Sequence, residues 1–361
     1  MSDQKFWIGF QLVQGIGPVR LRALLDYFPD LETAWHASAV SLRAAGLNQA
    51  SVEKLLYLRA RVDLDAEVRR LERLNVHVVT WESPDYPRLL REIDQPPALL
   101  YVRGAIVPAD EFAVAVVGTR NASSYGKGIA ERLAGGLAEN GVTVVSGLAL
   151  GIDGVAHRAA LDAGGRTIAV MGCGLDSIYP SRHRKLAEEI EASGALVSDY
   201  ALGVKPEARN FPPRNRIISG LSLGTIVVEA DRQSGALITL HFALEQGRET
   251  FAVPGNIQAR TSMGTNDAIQ RGEAKLVTSV EDVLNELNLT MVVEHKQVAE
   301  QVPENAGEAR LLSTLGAEPL HVDELARATG LPAAEVTSTL LMMELKGMVR
   351  RVDQMSYVVA H

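Results

Sequence analysis

Arginine side chains stand beside an apolar run in the stretch FPPRNRIISGLSLGTIVVEA, which covers residues 211 to 230. Arg214 and Arg216 flank Asn215, and the run from Gly224 to Val228 follows within the length of one helix. Guanidinium groups bind phosphate through paired, coplanar hydrogen bonds. Two of them held against a rigid sheet would form an anion site, whereas the alternative is an arginine pair on the solvated face of a helix.

Loops rich in glycine and hydroxyl groups favour the anion site. The apolar run ending at Val117 is followed by Gly118-Thr119-Arg120 with Ser123, and the run ending at Val145 is followed by Ser146-Gly147. Comparable loops begin at Gly172, Glu229, Pro254 and Gly264. Because ligands of parallel α/β sheets bind beyond the carboxyl ends of the strands, these loops would present N–H groups, hydroxyls and arginines at one edge.

No side-chain set in these loops has the spacing of an active site. They contain no acid pair, no metal shell and no nucleophile beside a base. Asp153 and His157 lie one helical turn apart and could act as acid and base, but we favour a hydrogen-bonded pair that fixes the start of a helix. The sequence therefore predicts no catalytic residue and a protein that is not an enzyme.

Cofactor fingerprints are missing as well. A dinucleotide enzyme requires Gly-x-Gly-x-x-Gly after its first strand, which Thr119 and Arg120 interrupt, and an acid after its second, which Ser146-Gly147 replaces. The chain has no Walker loop, which argues against ATP hydrolysis. A single cysteine, Cys173, excludes an internal disulfide, and the 8 histidines lack ligand spacing. We expect neither a cofactor nor a metal.

Charge and hydropathy limit the class of protein further. A formal net charge of −8 argues against a protein that coats nucleic acid indiscriminately, but local basic clusters lie at 182–185 and 205–216. With 361 residues, 47% of them hydrophobic, the chain can bury one sizeable core and form one or two smaller domains. No window has the apolar length of a membrane span and the N-terminus lacks a secretory pattern, so we expect a cytoplasmic protein that does not associate with membranes.

Short apolar runs alternate with helical stretches from residue 112 onward, as expected of parallel strands covered on both faces. The runs are Val114–Val117, Thr143–Val145, Thr167–Val170, Ala195–Val197, Thr225–Val228 and Thr250–Val253. They predict an α/β fold, an extended Rossmann-like doubly wound, mostly parallel sheet over residues 76–289. Strand-like pieces in the proline-rich connector, residues 76–107, would add an edge strand.

Smaller segments flank this sheet. Residues 1–75 form short helices around Gly15-Ile16-Gly17, typical of a helix-hairpin-helix (SAM-like) domain whose turn binds phosphate, with a plain helical turn as the alternative. Residues 290–306 are predicted to be a flexible linker. Residues 307–361 predict a winged-helix-like domain. Its candidate recognition helix carries Glu335 and no arginine. This composition fits binding of a partner or weak contact with DNA at least as well as recognition of DNA bases.

Four motifs occur in order between Trp81 and Val277. They are Gly118-Thr119-Arg120, Ser146 to Asp153 with His157, Phe211 to Ser222, and Ser234 to Thr239. Together they resemble the DNA-processing protein A family, also called Smf or DprA, and the flanking segments match its usual architecture. The resemblance implies a protein that binds and protects single-stranded DNA, forms a homodimer and helps load the RecA recombinase in natural transformation.

The resemblance also implies a set of DNA-binding residues, centred on the Gly-Thr-Arg turn and the Arg-Asn-Arg block. The set is Gly118, Thr119, Arg120, Ser146, Gly147, Arg214, Asn215, Arg216, Ser234, Gly235 and Thr239. Tyr125, Tyr179 and Phe211 stand beside the basic loops and are candidates for base stacking, with core packing as the alternative. Affinity should fall with salt, and sequence preference should be weak.

A nucleotide phosphoribohydrolase-like enzyme of the lysine-decarboxylase-like Rossmann group is the rival interpretation. Such enzymes share the core and carry Pro-Gly-Gly-x-Gly-Thr-x-x-Glu, whose glutamate takes part in N-glycosidic cleavage. The corresponding segment here, Ser234 to Phe242, lacks that acid. Release of free base from AMP would distinguish the enzyme from a DNA-binding protein.

Overall fold

A computed structural model describes residues 4–289, 305–315, 319–345, 349–352 and 355–359. The chain divides into two compact units, Met1–Leu287 and Asn288–His361. Of the predicted linker, residues 290–304 lie outside the described ranges, and a helix begins at Ala306. The finer division at residues 75 and 289 stays a prediction. Among the described helices, none combines the length and apolar character needed to cross a bilayer.

The first unit contains fourteen of the described α-helices and nine strands. The helices are α1 (Gln4–Leu12), α2 (Pro18–Tyr27), α3 (Leu31–His36), α4 (Ala39–Ala44), α5 (Gln49–Arg59), α6 (Leu64–Arg73), α7 (Arg88–Arg91), α8 (Ser124–Glu139), α9 (Ile152–Asp162), α10 (Arg184–Ser193), α11 (Phe211–Gly220), α12 (Gly235–Glu245), α13 (Met263–Gln270) and α14 (Val280–Glu286). The strands are β1 (His77–Thr80), β2 (Leu99–Gly104), β3 (Ala113–Val117), β4 (Thr143–Ser146), β5 (Thr167–Val170), β6 (Ala195–Ser198), β7 (Gly224–Val227), β8 (Glu249–Ala252) and β9 (Lys275–Leu276).

All nine strands form one sheet in the order β1-β2-β6-β5-β4-β3-β7-β8-β9. The seven strands from β3 to β9 pair in parallel, whereas β2 pairs antiparallel with both β1 and β6. The Rossmann-like, mostly parallel sheet predicted from the apolar runs is confirmed. The connector supplies the antiparallel edge, as its strand-like pieces predicted.

Alternating strand residues enter two separate apolar clusters, because successive side chains of a strand point to opposite faces. Val78 packs in a cluster with the N-terminal helices, including Phe10 and Trp35. Val79 packs on the other face with Ile217 of α11 and Leu240 of α12. The sheet is therefore covered on both faces, which holds its carboxyl edge rigid.

The N-terminal helices contain two similar turns. Gly15, between α1 and α2, has a φ of 100°, and Gly46, between α4 and α5, has a φ of 95°. Each glycine is followed by a buried apolar residue, Ile16 or Leu47, and a helix begins within three residues. The two turns therefore have the same local conformation, while phosphate binding by the first turn stays a prediction.

The second unit has helices α15 (Ala306–Thr314), α16 (Val322–Thr329) and α17 (Ala333–Leu345) and strands β10 (Leu320–His321), β11 (Val349–Arg351) and β12 (Ser356–Val359). The strands form a sheet in the order β10-β12-β11, and all pairs are antiparallel. This arrangement is a winged helix, as predicted. The exposed face of α17 carries Glu335, Thr337 and Ser338, and no basic residue lies within Ala333–Leu345.

Candidate nucleic-acid interface

A cavity of about 520 Å³ opens at the carboxyl edge of the sheet. It lies between the loops after the neighbouring strands β3 and β7. From β3 the chain continues to β4 on one side of this point, and from β7 it continues to β8 on the other side. Open α/β sheets bind ligands where the strand order reverses in this way. The predicted residues that line the cavity are Gly118, Thr119, Arg120, Tyr179, Phe211, Arg214, Asn215, Ser234, Gly235 and Thr239.

Arg120 supplies an available cation to this cavity. Its side chain is exposed, and its guanidinium carbon lies 5.5 Å from the ring centroid of Phe211. Within the described residues, the guanidinium makes no hydrogen bond or ion pair with another side chain. All of its donors therefore remain free for a phosphate.

Two of the three predicted stacking residues meet at the cavity wall. The ring centroids of Tyr179 and Phe211 are 5.8 Å apart with an interplanar angle of 37°. Tyr179 is 46% exposed, so one side of this aromatic pair is open to a ligand. Tyr125 does not line the cavity, because its hydroxyl donates to the carbonyl of Pro254 in the loop after β8 at 2.9 Å.

Arg214 reaches the cavity wall from below and is only 4% exposed. Its Nη1 donates to the carbonyl oxygen of Gly147 at 2.9 Å and to that of Val170, and its Nε donates to Asn215 at 3.2 Å. Burial lowers the pKa of Arg214, which the charge of Asp153 opposes. Most donors of this guanidinium are thus occupied by the protein itself.

Arg216 and Ser146 lie outside the cavity. Residues 214 and 216 project from different faces of α11, because a helix turns by about 100° per residue. Arg216 forms a 2.9 Å ion pair with Asp199 and donates to the carbonyl of Gln95 at 2.8 Å. Ser146 is fully buried, and its hydroxyl donates to the carbonyl of Val116 at 2.7 Å. For both residues the geometry favours a structural role over the predicted phosphate contact.

Asp153 and His157 do not form the pair that their spacing suggested. The carboxylate of Asp153 accepts from the N–H groups of Gly147 at 3.2 Å and Ala149 at 3.3 Å, so the backbone of Gly147 is also occupied. The Nδ1 atom of His157 instead lies 2.7 Å from the hydroxyl of Thr167. Burial raises the pKa of Asp153, and burial with the nearby charges lowers the pKa of His157 to about 3. Their structural role is supported, but as two separate contacts.

A second groove of about 680 Å³ adjoins the first cavity, and Arg120 lines both. It is lined by α8 and by α9 as far as Asp162, and it contains the exposed cations Lys127 and Arg182 together with the acids Glu131 and Asp162. Within the described residues, neither cation has a hydrogen-bonding or ionic partner, whereas the groove's Arg158 is paired with Glu189 at 2.6 Å. Three available cations, Arg120, Lys127 and Arg182, therefore line the two adjoining cavities.

Comparison with known proteins agrees with this geometry. Residues 77–288 match the family model of DNA recombination-mediator protein A, which is more than half of the chain. The chain belongs to this family. Residues 295–355 also match the DprA winged helix domain. Protein Smf of Escherichia coli K12 is 42% identical over 88% of this chain and 86% of its own length.

Two solved structures of the family are similar to this chain. DNA processing protein A of Streptococcus pneumoniae is 37% identical, with a TM-score of 0.69 over 78% of this chain and 97% of that one. DNA processing protein A of Helicobacter pylori is 32% identical, with a TM-score of 0.53 over 59% of this chain and 96% of that one. The Helicobacter structure describes a single-stranded DNA binding mode of that protein.

Glu229 holds the loop that carries Arg120, a structural role that the sequence analysis did not assign. It is 2% exposed, and its carboxylate accepts from the N–H and the hydroxyl of Ser123 and from the hydroxyl of Thr261. Its backbone carbonyl accepts from Thr119 N–H at 2.7 Å, so one residue holds both ends of the loop that carries Arg120. The sequence signal for this role was an acidic residue directly after the apolar strand β7, at the point where the strand order of the sheet reverses.

Proposed function

We propose that this chain binds single-stranded DNA at the carboxyl edge of its sheet without cutting or modifying it. The observation that carries the proposal is the juxtaposition of Arg120 and Phe211, a free guanidinium 5.5 Å from a ring centroid in an open cavity. Single strands are bound by cations that contact phosphates and by aromatic faces that stack on bases. The binding mode described for the Helicobacter relative supports the same ligand for this chain.

The strand would continue from the cavity into the second groove. Arg120 belongs to both, and Lys127 and Arg182 extend the line of available cations. Phosphates would follow these cations, while bases would enter the cavity beside Tyr179 and Phe211. Thr119, Asn215, Ser234, Gly235 and Thr239 supply neutral polar groups to the cavity wall, which is consistent with weak sequence preference.

A binding role fits these side chains better than catalysis. The Asp153 carboxylate already accepts two backbone N–H groups, and His157 is fully buried beneath the loops. Burial also raises the pKa of the Cys173 thiol to about 11, which leaves it a poor nucleophile. We therefore propose that the chain is not an enzyme.

Membership of the family extends this proposal to a cellular role. We propose that the protein acts in the cytoplasm as a homodimer, protects incoming single-stranded DNA and helps load the RecA recombinase in natural transformation. The support for these partners is the family resemblance, with the cationic edge as the surface that would hold the DNA. The winged helix, whose α17 face lacks cations, would contact a partner protein.

Fluorescence anisotropy with a labelled oligonucleotide, as a single strand and as a duplex, tests the proposal. The single strand should bind more tightly than the duplex, and the logarithm of its binding constant should fall linearly with the logarithm of the salt concentration. Equal affinity for both forms, or no binding at low salt, would overturn the proposal. Incubation with AMP is the parallel assay, and release of free base would instead support the phosphoribohydrolase.

A further inference from the structure

Arg214 connects three separate segments of the chain at the carboxyl edge. Its guanidinium bonds the carbonyl of Gly147 in the loop after β4 and the carbonyl of Val170 at the end of β5. Its Nε donates to Asn215, the next residue along α11. The site is closely packed, because a Cβ atom at Gly147 would lie 2.7 Å from Nη2 of Arg214.

Phe211 is held by the same arrangement. It lies one helical turn before Arg214, and the guanidinium carbon of Arg214 is 5.7 Å from its ring centroid. The ring also packs against the backbone at Gly172, where an added Cβ would lie 2.9 Å from Cδ1 of Phe211. The half-buried ring therefore has one fixed orientation, with its remaining surface toward the cavity and Arg120.

We infer that Arg214 is a positioning residue for base stacking and does not itself contact phosphate. It fixes the ring of Phe211, and Arg120 supplies the cation that meets the strand. The inference rests on the proposed binding of single-stranded DNA. It assigns different roles to Arg120 and Arg214, which the sequence analysis had placed together as phosphate-binding residues. A guanidinium that is 4% exposed and already bonded to carbonyls releases no counterion from DNA, because it neutralises no phosphate.

The two roles are separated by the chemistry of the substitution and of the ligand. Lysine keeps the charge of Arg214 but cannot bridge two carbonyls and Asn215 at once. An abasic oligonucleotide keeps the phosphates but offers nothing for Phe211 to stack on. Arg214→Lys, Arg214→Gln and Phe211→Ala would be compared by anisotropy on oligo(dT) and on an abasic strand of equal length, over a range of salt concentrations.

If Arg214 positions Phe211, Arg214→Lys and Arg214→Gln should both weaken oligo(dT) binding by about 10-fold, the lower part of the range for one lost base stack. Binding to the abasic strand and the salt slope should match those of the wild type. Combining either change with Phe211→Ala should add little to the effect of Phe211→Ala alone. Wild-type affinity in Arg214→Lys, or a shallower salt slope in Arg214→Gln, would overturn the inference.

Thermal unfolding of each variant accompanies the binding assays. Should the Arg214 variants fail to fold, Gly147→Ala provides the same test, because its Cβ would displace the guanidinium without changing any charge. A loss confined to base-containing strands is again expected, and equal loss on both strands would contradict the inference. Failure of the wild type to bind either strand would reject the proposed function. A shallower salt slope in the Arg214 variants would instead reject only the inference about Arg214.

Discussion

The carboxylate of Glu229 accepts hydrogen bonds from both the backbone N–H and the hydroxyl of Ser123, at 2.9 and 2.6 Å. Ser123 is the N-cap of α8, so the start of this helix already has a carboxylate beside it. In dinucleotide-binding folds the same position receives the phosphates. The carboxylate therefore occupies donors at this N-terminus that a phosphate would otherwise use, while the guanidinium of Arg120, on the preceding loop, stays available.

Glu229→Gln should therefore destabilise both the loop that carries Arg120 and the folded protein as a whole. The amide would place a donor against donors of Ser123, and unsatisfied buried groups cost about 1–3 kcal/mol each. We expect lower stability in urea unfolding and several-fold weaker binding of oligo(dT). Thr261→Ala is the matched control, because it removes only the 3.2 Å contact to the same carboxylate. Equal effects of the two variants would argue against a special role for the Ser123 contacts.

The ion pair of Arg216 with Asp199 should contribute to stability and leave DNA affinity unchanged. The two side chains are 17% and 14% exposed, and removing one partner of a buried pair typically costs about 3–5 kcal/mol. Asp199→Ala should lower the free energy of unfolding by this order, while the salt slope of oligo(dT) binding keeps its wild-type value. A change in that slope would show that Arg216 contacts the strand.

His157 should make the fold sensitive to acid. Burial lowers its pKa to about 3 from 6.5, so the unfolded chain binds a proton at a pH where the folded chain does not. The contribution of neutral His157 is fully present above pH 6.5 and decreases toward pH 3, by up to about 1.4 kcal/mol per pH unit.

Urea unfolding between these pH values measures this effect. His157→Asn keeps a group that can bond the Thr167 hydroxyl but does not titrate, so the difference in stability between wild type and variant should shrink as the pH falls. A difference that is constant with pH would mean that His157 does not titrate on unfolding as proposed.

The extent of the sequence prediction differs between backbone and side chains. Thr167–Val170 was predicted as the strand it forms, and the helices and strands of the second unit form the predicted winged helix. Such elements could be predicted because they follow from local runs of apolar and β-branched residues, which are visible in the sequence alone. The edge at which the ligand loops meet followed from the parallel topology.

The side-chain roles at that edge depended on packing that no local pattern encodes. Arg214 and Arg216 are two residues apart and identical in type, and only the rotation of α11 against the sheet decides which one is buried under the cavity. Ser146 similarly points back to the carbonyl of Val116. Asp153 bonds backbone N–H groups of the loop before α9 rather than His157, whose ring meets the hydroxyl of Thr167 instead.

The second groove should matter only for strands long enough to reach it. Arg182→Ala removes an available cation that lines the groove but not the first cavity. We expect little change in affinity for an oligonucleotide of about four nucleotides and a clear loss for one of about sixteen, the range of site sizes known for single-strand binding domains. Equal loss at both lengths would place Arg182 at the first cavity and contradict the proposed path.

The salt dependence of Arg120→Ala tests the central claim most directly. Arg88→Ala is the control, because Arg88 is 58% exposed but lines a cavity beside the segment that precedes β3, away from the carboxyl edge. Arg120→Ala should weaken oligo(dT) binding by about 10-fold or more, as expected for one charge-assisted hydrogen bond. It should also reduce the slope of log affinity against log salt by about 0.7, one phosphate contact, while Arg88→Ala changes neither. A wild-type slope in Arg120→Ala would contradict the account.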